Sequence, residues 1–358
     1  MSKSIRDFVV PHIRNMAGYV PGLQLNQQNL LKLNTNENPF VLPDSVLADL
    51  ELEVQRNRMH LYPSPDSKLL RERLGEAYGV GAESVFVGNG SDEILRNLMQ
   101  LFLDEGESVV VLDPSYSLYP VLAELCNRPI EKIPLKDDWT ADLFAMLHSA
   151  AKMALITNPN APTGIELSRT EILDFVTNFN RPVLVDEAYA AFGHSSVMAE
   201  AGKISNLLVC STFSKAFSLA GLRVGWLVAH PDLIRELDKI RDSYNVSGFS
   251  QAAAVSVLKH RSIIKEQCAE ISRVRDWFVS ALNDIGFETL PSSANFVFTR
   301  PPSADGKAVY DFLLDHNVLV RHFSADRIRP FVRISVGLAV SMQRVADLLA
   351  EGVRQGRF

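Results

Sequence analysis

The sequence predicts an α/β protein: a mainly parallel sheet covered by helices, followed by a smaller α+β domain. Three observations predict it. Short apolar runs rich in β-branched residues recur, "SVFVGNG", "SVVVLDPSY", "MALITNPN", "PVLVDEAY", "LLVCSTFS" and "RVGWLVA", and read as buried parallel strands. Helical stretches such as Asp92 to Leu103 and Ser168 to Asn178 lie between several of them. The polar segments "GNGSDE", "DPSY", "NPNAPTG", "DEAY" and "STFSK" each follow a run on its carboxyl side, where open α/β sheets gather their ligands.

Taken in chain order, the first forty or so residues, with Pro11, Pro21 and Pro39, read as an irregular arm that must pack on something larger. The strand-and-helix alternation then runs to about Tyr244. Beyond it come a long helical stretch from Gln251 to Ile285, short strands at "NFVF", "VLVR" and "FVRISV", and a last helix from Ser341. The expected division is therefore an arm at 1–38, a large domain at 39–245 and a small C-terminal domain at 246–358. A chain of 358 residues exceeds one simple core at ~100–200 residues per domain, so two cores are expected. No internal repeat or low-complexity segment interrupts it.

Composition narrows the function. With 47% hydrophobic and 22% charged residues, the chain folds. A formal charge of −6 with scattered basic residues argues against nucleic acid as a partner. Cys126, Cys210 and Cys268 are odd in number and far apart, which fits a reducing compartment and no Cys-rich metal site. The N-terminal "MSKSIRDFVVPHIRN" lacks a secretory h-region, and no run of about twenty apolar residues occurs, so a cytoplasmic protein without a membrane span is expected.

The residues with chemical potential sit in those polar loops. A lysine after an apolar strand is ordinarily a solvated loop residue, but Lys215 stands near the hydroxyls of Thr212 and Ser214 and the phosphate-matching fork of Arg223. A lysine partly desolvated among cations loses its proton more easily and can form a Schiff base with an aldehyde. Asp186 ends a strongly apolar strand, where a carboxylate needs a cationic or protonated partner. A pyridinium nitrogen would serve, with Tyr189 donating to a ring oxygen; a helix cap and a core tyrosine are the plain alternative. Gly88 and Gly90 run into a helix starting near Ser91, whose free N–H groups make an anion site or merely a capped end. Tyr116 could stack on a flat ring or belong to the core. Together, an electron-sink carboxylate, a Schiff-base lysine, a phosphate-binding arginine and a stacking aromatic describe a pyridoxal phosphate site.

In their order and spacing these segments resemble the histidinol-phosphate aminotransferase family. The likeness runs from "HIRNMAGYVPG" and "KLNTNENPF" through "YPSPDSKLLRERLGEAYGV", "GNGSDEIL", "DPSYSLY", "NPNAPTG", "VDEAYAAF" and "STFSKAFSLAGLRVG" to "SANFVF", "VLVR" and "RISVG". The resemblance implies a pyridoxal-phosphate transferase of fold type I with a seven-stranded sheet. It implies that Lys215 holds the cofactor as an aldimine, Asp186 pairs with its ring nitrogen, Tyr189 donates to its phenolic oxygen and Tyr116 stacks on its ring. The phosphate falls to Gly90, Ser91, Asp92, Thr212, Ser214 and Arg223, with Tyr62 reaching the phosphate of a partner subunit in a homodimer. Arg333 and Arg321 would bind the anionic end of the substrate, and Tyr19 and Tyr244 would line its pocket. One position departs: where relatives carry an asparagine that donates to the phenolic oxygen, this chain has Ala161, so that contact is either absent or supplied by Asn158 or Asn160.

The implied reaction is ping-pong transfer of an amino group from L-histidinol phosphate to 2-oxoglutarate, with Lys215 as the proton carrier. The alternatives on this scaffold are an aromatic amino acid aminotransferase and a threonine-phosphate decarboxylase. A cofactor-sensing regulator would need a DNA-binding module for which the sequence has no room. A nicotinamide dehydrogenase would have to use "GNGSDE", which lacks the third glycine of a dinucleotide fingerprint.

Overall fold

Seven strands form the large sheet of the computed structural model, which describes residues 4–25, 27, 29–56 and 58–358. After a two-residue strand β1 (Leu31–Lys32) come β2 (Val85–Gly88), β3 (Val109–Asp113), β4 (Ile130–Pro134), β5 (Met153–Thr157), β6 (Val183–Asp186), β7 (Leu207–Thr212) and β8 (Gly225–Val228). Across the sheet they stand in the order β2-β8-β7-β6-β5-β3-β4. Successive residues take opposite faces, as strand pleating requires. Val85, Val110, Ala154, Ile156, Val183 and Val209 join one apolar cluster, whereas Phe86, Val109, Val111, Leu155, Leu184 and Leu208 join another. Burial on both faces is why these strands read as continuous apolar runs.

Two strands differ from the sequence reading. Residues Gly225–Val228, grouped above with the parallel strands, pair antiparallel to both β2 and β7. Only residues 213–224 separate β7 from β8, with one 3-10 turn and no α-helix, so the chain doubles back where a parallel return needs a crossover helix. The seventh strand, Ile130–Pro134, has no apolar run because it lies at the sheet edge, where charges at Glu131 and Lys132 suit solvent and discourage further pairing.

The helices follow local signals. Ser168 caps Arg169–Phe179 in a reciprocal box with Glu171, and Asn180 ends it in the left-handed region at φ 50°. The long stretch expected from Gln251 to Ile285 is two helices, Gly248–Lys259 and Arg261–Asp284, separated at His260. Their partners explain the break. The first packs on helices Asp44–Gln55 and Lys68–Tyr78, and the second on helix Ala339–Arg354 and strand β9 (Glu288–Thr289), so the chain changes direction between them. No helix among the described residues is long and apolar enough to cross a membrane.

A second sheet combines β9, β10 (Phe296–Arg300), β12 (Arg321–His322) and β13 (Val332–Ser335) in the order β12-β13-β10-β9. The arm is more regular than expected. After helix Pro11–Asn15, its β1 pairs in parallel with β11 (Val318–Leu319), and the Ser335 N–H donates to the Leu33 carbonyl at 2.9 Å. Nor do the cores divide by domain. One apolar cluster runs from a face of the large sheet through Phe278, Phe296 and Val332, the other face of the sheet holds its own, and a smaller cluster gathers Leu290, Phe298, Ile328 and Phe331.

The end of β8 meets the helix that starts at Gly90. A Cβ on Gly225 would lie 2.5 Å from the Ser91 nitrogen and 2.6 Å from the Gly90 carbonyl carbon, so only glycine permits the approach. Gly225→Ala is expected to destabilise the protein by about 1–3 kcal/mol in urea unfolding. Gly221→Ala, where a Cβ meets nothing within 4 Å, should leave the unfolding midpoint near that of the parent.

Candidate active site

A cavity of about 740 Å³ lies where the carboxyl ends of the parallel strands meet the arm and the small sheet. Thr157, Asp186 and Thr212 end β5, β6 and β7 on its wall, beside Ser91 and Asp92 of helix Gly90–Phe102. The loops after the strands add Tyr116, Ala161, Tyr189, Ser214, Lys215 and Arg223. Tyr19, Thr35 and Asn36 enter from the arm, and Arg321 and Arg333 from the small sheet. Gly90 stands directly behind: at φ 77° it leaves room for Arg223, whose Nη2 would be 2.7 Å from any Cβ there.

At one end, groups suited to an anion converge. Arg223 Nη1 donates to Ser214 Oγ at 3.3 Å and Nη2 to Asp92 Oδ2 at 3.0 Å, while Thr212 Oγ1 donates to Ser214 Oγ at 2.9 Å. The first-turn N–H groups of helix Gly90–Phe102 have no intrahelical acceptor, and its dipole adds positive potential. At another point Asp186 is buried with no cationic partner among the described residues. The Tyr119 hydroxyl donates to its Oδ2 at 3.1 Å and the Ala188 N–H to its Oδ1 at 3.1 Å. Thr157 backs Tyr119 at 2.6 Å, and Ser115 lies 3.2 Å from Thr157.

Lys215 Nζ donates to the Thr35 carbonyl at 2.8 Å and sits 5.8 Å from the centre of the Tyr189 ring. The Tyr189 hydroxyl accepts from Asn36 Nδ2 at 3.0 Å. Tyr116 stands edge-on to Tyr119, with its hydroxyl 3.4 Å from Asp92 Oδ1. Arg321 and Arg333 are direct partners across β12 and β13, so both side chains leave the same face of the sheet. Arg333 Nη2 donates to the Asn34 carbonyl at 3.1 Å, and its Nε is buried without an acceptor.

Three expected site residues lie elsewhere. Asn160 turns its amide nitrogen to the Pro114 carbonyl at 3.2 Å and the Thr163 hydroxyl at 3.0 Å, bracing its own loop. Asn158 likewise holds Leu167 through both side-chain atoms, so neither asparagine stands in for the group missing at Ala161. Tyr244 is outside the cavity at φ 56°, its ring stacked on Tyr62 with centroids 4.4 Å apart. Tyr62 is 81% exposed and touches no group of this cavity, so its expected reach concerns a second chain. Conversely, sequence reasoning missed Tyr119, Thr157, Thr35 and Asn36. Tyr119 follows Tyr116 by three residues, across a turn closed by the Tyr119 N–H on the Tyr116 carbonyl at 3.1 Å at the start of helix Leu118–Leu125.

The chain matches the family model for aminotransferase class I and II over residues 28–350. It is 38% identical over 341 residues to the histidinol-phosphate aminotransferase of Geotalea daltonii, covering 95% of this chain and 98% of that protein. Identity to the enzyme of the same name from Geotalea uraniireducens is 40% over the same shares. Among solved structures, the histidinol-phosphate aminotransferase of Sinorhizobium meliloti in complex with pyridoxal-5'-phosphate superposes with a TM-score of 0.89 at 24% identity. That match covers 97% of this chain and 98% of the other, and at such identity it speaks for the fold.

Burial shapes the charges of the site. It pushes the Asp186 carboxyl up to about 6, only partly offset by the Ala188 N–H and the Tyr119 hydroxyl. Glu187, buried beside it, is pushed up to about 7 by the same cause, although the Ser196 hydroxyl and the Val197 N–H, each at 2.7 Å, favour its charged form. Burial also pulls the Arg333 guanidinium below its ordinary value. Both carboxyls hold protons more tightly folded than unfolded, so the native state binds extra protons between their ordinary and raised values. Stability must then fall as pH rises through that window. The ligand-free protein is expected to lose stability from about pH 4 to about pH 7, with Asp186 contributing on the order of 3 kcal/mol. Urea titrations across this range should show a shallower fall for Asp186→Asn, and superimposable profiles would refute the assignment.

Proposed function

The chain belongs to the histidinol-phosphate aminotransferase family of the class I and II aminotransferases, and from that premise we propose that it exchanges an amino group between L-histidinol phosphate and 2-oxoglutarate. It is a pyridoxal-phosphate-dependent transaminase of histidine biosynthesis. The donor set of the cavity fits that cofactor. A buried carboxylate that lacks a cation suits a protonated ring nitrogen, and the Ser91, Thr212, Ser214 and Arg223 end suits a phosphate.

When bound, the cofactor supplies an electron sink for the pair released at the donor's α-carbon and carries the amino group from one substrate to the next. Lys215 would hold the cofactor, and its Nζ, when free, would take the α-proton of the donor and give it back within the same cavity. Asp186 keeps the proton on the ring nitrogen, with Tyr119 holding the carboxylate in place. Gly90, Ser91 and Asp92 offer backbone N–H groups to the phosphate, Thr212 and Ser214 their hydroxyls and Arg223 its charge. Tyr116 gives the ring a flat wall, and Tyr189 donates to its phenolic oxygen. Tyr19 closes the substrate side from the arm.

The observation that carries the substrate reading is the cross-strand pair Arg321 and Arg333. Two cations directly opposite on one sheet face repel, and neither has a carboxylate partner among the described residues. An anion from outside relieves that repulsion. In the first half-reaction it is the phosphate of the amino donor, and in the second a carboxylate of 2-oxoglutarate, both matched by guanidinium forks. The reading also takes the enzyme as a cytoplasmic homodimer. Met59, Leu61 and Tyr62 form an exposed apolar stretch that a second copy would cover, carrying Tyr62 to the phosphate there.

With 2-oxoglutarate as acceptor, histidinol phosphate is expected to exceed phenylalanine in kcat/KM; the reverse order would replace the donor and leave the chemistry standing. Lys215→Ala should lower turnover by roughly 10²–10⁴-fold. Arg333→Ala should lose about 2–3 kcal/mol of substrate binding, roughly 30–150-fold in kcat/KM, with a smaller loss for a donor that carries no phosphate.

A further inference from the structure

Asn36 is an arm residue that the sequence did not single out, and the structure surrounds it on every polar atom. It is 1% exposed and adopts φ 56°, a conformation asparagine tolerates better than most residues. Its N–H donates to Ser335 Oγ at 2.9 Å, and its carbonyl accepts from Asn295 Nδ2 at 3.0 Å. The Ser335 hydroxyl donates to Asn36 Oδ1 at 3.0 Å, and Asn36 Nδ2 donates to the Tyr189 hydroxyl at 3.0 Å.

The order of donors has a consequence for Tyr189. Ser335 Oγ already accepts from the Asn36 N–H, and its single hydrogen goes to Oδ1, which turns the amide nitrogen toward Tyr189. A flipped amide would leave that serine hydrogen without an acceptor in a buried place. The Tyr189 oxygen therefore receives a hydrogen from Asn36 and cannot return one to it. No described residue accepts the Tyr189 hydrogen, and Tyr189 lines the cavity. The hydrogen is left for a ligand.

We propose that Asn36 is a positioning residue: locked by Ser335, its amide forces Tyr189 to act as a hydrogen-bond donor to the phenolic oxygen of the bound cofactor. This rests on the reading of the cavity as a pyridoxal phosphate site. It also answers the departure at Ala161, where no side-chain amide is available and neither Asn158 nor Asn160 turns in. Tyr189 is then the side-chain donor on which that oxygen depends, and its direction is set from the arm. Hydrogen bonds in series polarise one another, so the Ser335, Asn36 and Tyr189 chain also strengthens the last donor.

The test uses the cofactor-loaded protein without substrate and reads the pH midpoint of its visible absorption band, which tracks how well the phenolic oxygen carries negative charge. Asn36→Asp keeps the size and the tolerance for positive φ but offers Tyr189 an acceptor, drawing its hydrogen away from the cavity. The midpoint is expected to rise by roughly one unit or more, toward that of Tyr189→Phe. In a Tyr189→Phe background, Asn36→Asp should add little, because the hydrogen it redirects is gone. An Asn36→Asp midpoint equal to the parent's would overturn the proposal. So would an undiminished rise in the Tyr189→Phe background, which would mean that the new charge acts through space. Asn36→Ala, with no charge and no acceptor, should rise less than Asn36→Asp, and a larger rise would also count against it. A parent protein showing no visible band after incubation with pyridoxal phosphate would sink the cofactor reading and this inference together.

Discussion

The carboxylate of Asp186 at the buried end of β6 is the constraint on which the site depends. An ionised group there loses its water and gains in return the hydrogens of Tyr119 and Ala188 and the weak donor of the Cys210 thiol, which do not offset the burial that holds its carboxyl near 6. Hydrophobic packing cannot account for a charge in that position, because an apolar residue would fill the strand end with less penalty. On the proposed reading, the protonated ring of the cofactor would be the partner that accounts for it. The surroundings are arranged to keep the carboxylate oriented without neutralising it. Tyr119 is itself backed by Thr157, and both neighbouring strands are parallel, so the ends of β5 and β7 bring Thr157 and Thr212 to the same rim.

From that point the other positions follow by chain geometry. The loop between β7 and β8 is short, so Lys215 cannot drift far from the sheet end, and the antiparallel return brings Arg223 back to the same rim beside Gly90 and Ser91. Gly225 at the start of β8 and Gly90 at the start of the helix let two backbones and a guanidinium occupy a space that one Cβ would fill. An anion cradle made of helix N–H groups, hydroxyls and an arginine thus depends on a strand that runs against the direction of the parallel strands.

How much of this the sequence discloses depends on where each signal is stored. Parallel strands buried on both faces announce themselves, and so do their boundary residues, because a polar residue abruptly ending an apolar run has few explanations. Asp186 was legible for that reason, and Lys215 and Arg223 because they stand among hydroxyls in the loop that follows such a run. Strand direction was not: "RVGWLVA" is as apolar as its neighbours, and only the length of the preceding loop distinguishes it. The edge strand Ile130–Pro134 was hidden by the charges that protect it. The break at His260 follows from two packing partners, which no local pattern encodes. Asn160 was misplaced because a polar residue in a turn can equally serve the turn. Asn36 was invisible because its partners Tyr189, Asn295 and Ser335 lie more than 150 residues away, at separations of 153, 259 and 299.

Those distant partners also say what kind of assembly the cavity is. Its acidic floor and anion cradle belong to the large sheet, its paired arginines to the small sheet, and the arm runs between them, touching both. Thr35 offers a carbonyl to Lys215, Asn34 offers one to Arg333, and Asn36 spans Ser335 and Tyr189. Three consecutive residues thus contact the Lys215 amine, the Arg333 guanidinium and the Tyr189 hydroxyl. A buried polar segment of this kind is poor glue, since each of its hydrogen bonds replaces one with water and contributes only about 1 kcal/mol net. Its value lies in direction. Apolar contacts would hold the arm against both sheets in many orientations, whereas amides and carbonyls fix which atoms face the cavity, and a proton-transfer site requires that choice to be unique.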